Sequence, residues 1–307
     1  MVSIKSKKTN TNPLVSKVSM FISGICMGNV GLLVTILSGY SVYTIALLRG
    51  IFGTLFLTLF MVIQKSFSKD FLKESFKFHW KFLIIIGIIN PIVIFLYFIS
   101  IMISGYSIAA FLLYTSGIYL LLLLIITKEE KVSKVNLISF SLAILGVAII
   151  MEFWNGELFT PGILIGVFSG LALSILVFSK KKIYNERIQN QRNLKSEGNF
   201  DIFLSWWSTI FLILMFLPIG GSEILRLSLI DIIFSLILGF FPTALAFTLY
   251  NVGLKNDTGG NIVILSYFEP VMATINTAIF LKNLSIFTVI GGGLILLANL
   301  IIFKYSS

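Results

Sequence analysis

The chain has 307 residues, 57% hydrophobic and only 12% charged, with a mean hydropathy of +1.00 and a formal net charge of +10. A soluble domain is about 45–50% apolar and about 25% charged, so the composition excludes an ordinary soluble fold and indicates an all-α integral membrane protein. One cysteine, Cys26, and one histidine, His79, exclude an internal disulfide, a metal site and a histidine-based catalytic constellation, and no cofactor is implied.

A polar, basic tail, residues 1–15, precedes an apolar run too long for a signal-peptide core and lacking a small-residue cleavage site, so that run reads as a first crossing. A hydrocarbon core needs about 20 apolar residues per helix. That ruler predicts ten transmembrane helices, at 16–37, 42–64, 82–103, 106–127, 135–152, 161–179, 202–219, 231–253, 261–281 and 285–303. The lysine-rich stretch 65–81 reads as a loop with His79 solvated in it. The stretch "KKKIYNERIQNQRNLKSEGNFD", 180–201, reads as a mobile cytoplasmic loop. Trp206 and Trp207, near the start of the seventh crossing, fit an aromatic belt.

Alternating the loops between two sides puts twenty of the 23 basic residues on one side, with the two termini. The other side has Arg226 and Lys282, and Arg49 lies inside the second crossing. Basic loops stay in the cytoplasm, so both termini are expected there. The positive charge therefore reports orientation and an attraction to anionic lipid headgroups, and gives no reason to expect a nucleic-acid partner.

Ten helices divide into two sets of five, and an odd number per set inverts the second relative to the first. At an offset of 153 residues Tyr97 falls on Tyr250, Tyr114 on Tyr267, Asn90 on Thr243, Ser116 on Glu269 and Gly117 on Pro270. The expected organisation is two inverted five-helix repeats, 16–152 and 161–303.

Two charges lie deep within the crossings, Arg49 and Glu269. Each costs about 2.5–3.5 kcal/mol at a helix centre and usually faces a cavity or a partner. A direct pair between them is open, as is a purely structural lock between the second and ninth helices. Ser266, Glu269, Ala273 and Asn276 recur at helical spacing and form a small, polar stripe on the ninth. Tyr114, Ser116 and Tyr119 on the fourth, with the pairs Asn90/Tyr97 and Thr243/Tyr250, complete the candidate substrate- or proton-binding set. Pro270 removes an amide and frees a carbonyl about a turn earlier, loosening the helix beside Glu269. Gly24 and Gly28, and the ladder Gly162, Gly166 and Gly170, mark close helix packing.

The segment "PTALAFTLYNVGLKNDTGGNIVILSYFEPVMATINTAIFL", 242–281, resembles the signature of the EamA-type transporters in the drug/metabolite transporter superfamily. It runs from an alanine-rich eighth helix ending in tyrosine and "GLK" to a ninth helix opening on "YxEPV". The first half echoes it in "FLYFISIMISGYSIAAFLLYTSG" and in the spacing of "EKVSKVNLISFSLAILGV". The chain departs from the family at Met27-Gly28, where Trp-Gly is common, at Gly117, where proline is common, and at Asn283, where an acid is common. The resemblance implies a secondary transporter, commonly an exporter, of amino acids, related metabolites or amphiphilic drugs, in the plasma membrane, as monomer or homodimer. No GxxxxGK[ST] loop is present to use ATP directly. A membrane-embedded transferase and a membrane sensor acting through 180–201 are the alternatives from other classes.

Overall fold

The computed structural model describes residues 13–127, 134–150, 152, 154, 160–189, 198–255, 263–282 and 284–305. Most of the expected N-terminal tail, residues 190–197 of the 180–201 loop and Asn283 lie outside these residues. Every regular element among the described residues is helical.

The first crossing is a broken rod, α1 (Pro13–Met27) followed by α2 (Val30–Ile36). The Asn29 side chain donates to the Ile25 carbonyl at 2.9 Å, a local bond that competes with the helical ladder where α1 ends. α3 (Val42–Ile63) is N-capped by Ser41 and α4 (Lys69–Ser104) by Ser68, each hydroxyl accepting from an amide three residues on. Gly105, at φ 89°, turns the chain directly into α5 (Tyr106–Leu113), a left-handed position suited to glycine. A second break leads to α6 (Ser116–Ile126), and α7 (Lys134–Ile150) follows.

The second half opens with α8 (Pro161–Gln189) and α9 (Phe200–Gly220). α10 (Leu229–Gly239) starts on a capping box of Ser228 and Asp231. It passes through a π-helical segment, Phe240–Leu245, into α11 (Ala246–Lys255). The stretch expected as the ninth crossing is a 3-10 turn, Val263–Tyr267, then α12 (Phe268–Asn276), then a π-helical segment, Thr277–Leu281. α13 (Ile286–Tyr305) ends the described chain.

Seven of these rods are long and apolar enough to cross a membrane: Leu14–Ile36, Val42–Ile63, Lys69–Ser104, Tyr106–Ile126, Pro161–Ile188, Phe200–Arg226 and Leu229–Lys255. Two shorter apolar helices, Lys134–Ile150 and Ile286–Ile301, accompany them. Large apolar side chains such as Ile126, Ile144, Leu214 and Phe280 face outward on many of these rods, as expected where the solvent is lipid.

Parts of two expected loops are helix instead. α4 begins thirteen residues before the expected third crossing, and α8 runs ten residues past the expected sixth. The two extensions meet: Glu186 of one approaches His79 of the other, and the Arg187 guanidinium lies 5.8 Å from the Phe71 ring centroid. His79 is therefore buried, not solvated, with Nδ1 3.4 Å from the Glu186 carboxylate. Lys180 is likewise no loop residue, being 4% exposed within α8. Apolar faces persist through these lysine-rich stretches, and residues such as Phe71, Ile183 and Tyr184 are buried along them. Trp206 and Trp207 are half-buried, and their indole nitrogens donate to Thr58 Oγ1 at 2.9 Å and to the Leu83 carbonyl at 2.7 Å.

The main helix pairs are α4 with α8, α1 with α11, α3 with α9, and α7 with α13. In the numbering of the ten expected crossings, these are third with sixth, first with eighth, second with seventh and fifth with tenth. Exchanging the two halves converts the first two pairs into each other and returns the last two to themselves, as a two-fold relation between halves requires.

Candidate functional site

A cavity of about 880 Å³, counting its mouth, opens at the centre of the bundle between elements of both halves. Its wall is largely apolar, with a few convergent polar side chains, the usual composition of a small-molecule site. Arg49 reaches it from α3, Asn90 and Tyr97 from α4, and Tyr114 and Ser116 from the break between α5 and α6. Lys180 comes from α8, Tyr250 from α11, and Ser266, Tyr267 and Glu269 from the start of the ninth crossing.

Glu269 is 4% exposed. Its two carboxylate oxygens accept from different tyrosines, Oε1 from Tyr97 at 3.3 Å and Oε2 from Tyr114 at 2.9 Å. Pro270 explains the local backbone. It stands in the first turn of α12, where a missing amide costs least. Lacking N–H, it leaves the Ser266 carbonyl without its i+4 donor, and the Tyr114 hydroxyl supplies one at 2.9 Å. The expected freed carbonyl thus exists, but at a change from 3-10 to α-helix and not at a mid-helix kink. The single Tyr114 hydroxyl proton is shared between this carbonyl and the carboxylate, both at 2.9 Å.

The break in the fourth crossing has no proline. The Thr115 hydroxyl donates to the Leu112 carbonyl at 2.7 Å, and Asn299 of α13 donates to the Tyr114 carbonyl at 2.8 Å. A Cβ at Gly117 would crowd Asn299 Oδ1 and the Tyr267 hydroxyl, so a larger residue there would have to move these side chains. At the break in the first crossing the Gly28 carbonyl accepts from Asn276 Nδ2 at 2.8 Å and from the Tyr106 hydroxyl. Side chains from distant elements satisfy the backbone groups that each interruption releases.

Arg49, 3% exposed, makes no hydrogen bond or ion pair with Glu269 among the described residues. Its Nε donates to Thr243 Oγ1 and its Nη2 to the Pro242 carbonyl, both at 2.9 Å. Pro242 leaves the Leu238 carbonyl free, the chain takes a π-helical turn, and Thr243 donates back to that carbonyl at 2.7 Å. Lys180 donates to Asn251 Oδ1 at 3.1 Å, and Asn251 donates onward to Ser205 and to the Asp201 carbonyl. Both cations lie against Phe247, with Arg49 Cζ 5.2 Å and Lys180 Nζ 5.7 Å from the ring centroid.

Of the residues expected from sequence, Glu269, Arg49, Tyr97, Tyr250, Asn90, Tyr114, Ser116 and Ser266 meet at this cavity. Thr243, Asn276 and Tyr119 do not line it: Thr243 anchors Arg49 and Asn276 ties α12 to Gly28. The glycines serve packing within the chain. Gly162, Gly166 and Gly170 bring α8 onto Ser104, Ser100 and Thr115, and Gly24 and Gly28 bring α1 onto the ninth crossing. Sequence reasoning missed Lys180, Phe247 and Asn299. The repeat offset pairs Tyr114 with Tyr267, and both line the cavity, so that signal was present for Tyr267.

The profile of the EamA-like transporter family matches residues 16–152 and, a second time, residues 160–304. A comparison with curated proteins finds no match. Among solved structures, one described only as "Crystal structure of protein" superposes with a TM-score of 0.61 over 96% of this chain and 99% of its own, at 13% identity. That likeness concerns the fold alone. With two family matches covering nearly the whole chain, this multi-pass membrane protein belongs to the EamA-like transporter family of the drug/metabolite transporter superfamily.

Proposed function

We propose that the chain is a secondary transporter of a small metabolite, working by alternating access between two inverted five-helix repeats, 16–152 and 161–303. In this reading the seven long helices, the two shorter ones and the segmented stretch 263–281 make ten crossings. The two-fold set of helix pairs supports it. With Lys180 removed from the loop count, nineteen basic residues still stand against two, which favours cytoplasmic termini. The plasma membrane and outward transport of an amino acid, a related metabolite or an amphiphilic drug follow from the family. The chain works as a monomer or homodimer.

The observation that carries the proposal is the placement of Glu269. A buried carboxylate from the second half is held by two tyrosines of the first, inside a cavity both halves line. Protonation or ligand binding at that carboxylate changes how strongly the two halves hold each other, which is the differential interaction an alternating-access step requires. Glu269 is then the proton and substrate switch, with Tyr97 and Tyr114 reading its state.

The test is uptake and counterflow in proteoliposomes with an amino-acid and metabolite panel, comparing wild type and Glu269→Gln with and without a pH gradient. The expected result is that the variant loses gradient-driven accumulation and keeps exchange. Equal behaviour of the two proteins in both assays removes Glu269 from the mechanism, and transport of nothing by wild type removes the transporter itself.

A further inference from the structure

We infer that the transported molecule is a small organic anion, whose oxyanion group is received between Arg49 and Lys180 beside Phe247; this rests on the transport reading of the cavity. The charges in the wall are unbalanced, with two cations against the single carboxylate of Glu269. Among the described residues neither cation has a carboxylate within 4.0 Å. Glu269 is engaged by tyrosines, Arg49 by a hydroxyl and a carbonyl, and Lys180 by an amide oxygen. Neutral acceptors hold these cations in position without cancelling their charge.

Burying a cation without a counter-charge is unfavourable, and an arriving anion relieves it. Low-dielectric walls strengthen that attraction relative to water. Cation–π contacts with Phe247 hold the two groups near one ring, and Tyr250 supports Lys180 from 5.5 Å. A guanidinium presents a planar fork to an oxyanion and an ammonium adds a point charge. Lys180 has three donors, and Asn251 takes one of them.

The two cations also come from opposite halves, Arg49 on α3 and Lys180 on α8. An anion held by both links the halves at a second place, away from the Glu269 cluster. An occupant with one ammonium and two oxyanion groups would match the whole wall, its ammonium facing Glu269 and its net charge neutralising the excess.

The experiment is counterflow in proteoliposomes with compounds that differ in charge: glutamate and glutamine, and aspartate and asparagine, each pair of near-equal size, with phosphoserine and serine as the phosphate pair. Thermal stabilisation of the purified protein by the same compounds is measured in parallel. In wild type the anionic member of at least one pair is expected to exceed its partner by about tenfold or more, the effect of one charge-assisted hydrogen bond. The carboxylate and phosphate pairs separate the two sources of the oxyanion. Lys180→Met is expected to bring that ratio towards one, and Lys180→Arg to keep it.

A merely structural lysine would lower both members together and leave the ratio unchanged, which overturns the inference. So does a wild-type preference for neutral or cationic compounds, a result that needs no variant and leaves the transporter reading standing. If no compound is moved or bound, the transporter reading falls and the inference falls with it.

Discussion

The stretches expected as the fourth and ninth crossings use one backbone device with different chemistry. Each changes helical form beside a tyrosine, Tyr114 in the first half and Tyr267 in the second, at the 153-residue offset of the repeat. The two rings meet edge to face with centroids 4.9 Å apart. Two residues further on the copies diverge, to Ser116 in one and Glu269 in the other. The means of interruption differ too: Pro270 deletes an amide in the ninth, while Thr115 and Asn299 stabilise the break in the fourth. Symmetry therefore belongs to the scaffold and the carboxylate to one half alone, with its hydrogen-bond donors supplied by the other.

That contrast is most severely tested by moving the carboxylate. Exchanging Ser116 and Glu269 between the crossings keeps composition but is expected to abolish gradient-driven uptake, because Tyr97 and Tyr114 are placed for the native position. Losing both tyrosine bonds is worth about 30-fold or more in coupled transport, read in the proteoliposome assay. Restored coupling in the exchanged protein would show that the two sites are equivalent.

Next in size is Tyr114→Phe, which removes the donor to Glu269 and to the Ser266 carbonyl together. A fall of about 10–100-fold in counterflow rate is expected. Tyr97→Phe should do less, since its bond to Glu269 is longer, 3.3 Å against 2.9 Å. Tyr267→Phe should do least of the three, and equal losses at Tyr114 and Tyr267 would erase the distinction between the crossings.

The scaffold's symmetry has its own test where α7 crosses α13. A Cβ on Gly146 would meet the Gly291 carbonyl, and one on Gly291 would meet that of Gly146. Gly146→Leu and Gly291→Leu should each destabilise by about 1–3 kcal/mol, by nearly the same amount, read as unfolding temperature in detergent. Gly293→Ala, which meets open space, should gain up to about 1 kcal/mol. The smallest effect is expected at Glu186→Gln, which leaves the buried His79 ring in place, because Glu186 is 42% exposed and a pair open to solvent on that side contributes less than about 1 kcal/mol. Denaturation of the purified variant measures it.

Much of this molecule is legible from its sequence because the signals are local. Hydropathy over a membrane's thickness located the helices, and a repeated spacing of polar residues revealed the doubled design. Glu269-Pro270 stood out because a charge and a proline inside an apolar helix both need a reason. Lys180, His79 and Asn299 did not stand out, since a window average counts a charge without knowing which face it occupies. The run Lys180–Lys182 reads as loop by composition, yet α8 continues through it with Lys180 turned inward.

The partners, too, were decided only by the tertiary structure. Arg49 is held by Thr243 and Pro242, not by Glu269, across nearly two hundred residues of sequence. The breaks at Gly28 and Tyr114 persist because Asn276, Tyr106 and Asn299 satisfy the backbone groups they release. Local sequence fixes which segments are helical and apolar. Which buried charge meets which acceptor depends on how the helices pack, and no local pattern encodes that arrangement.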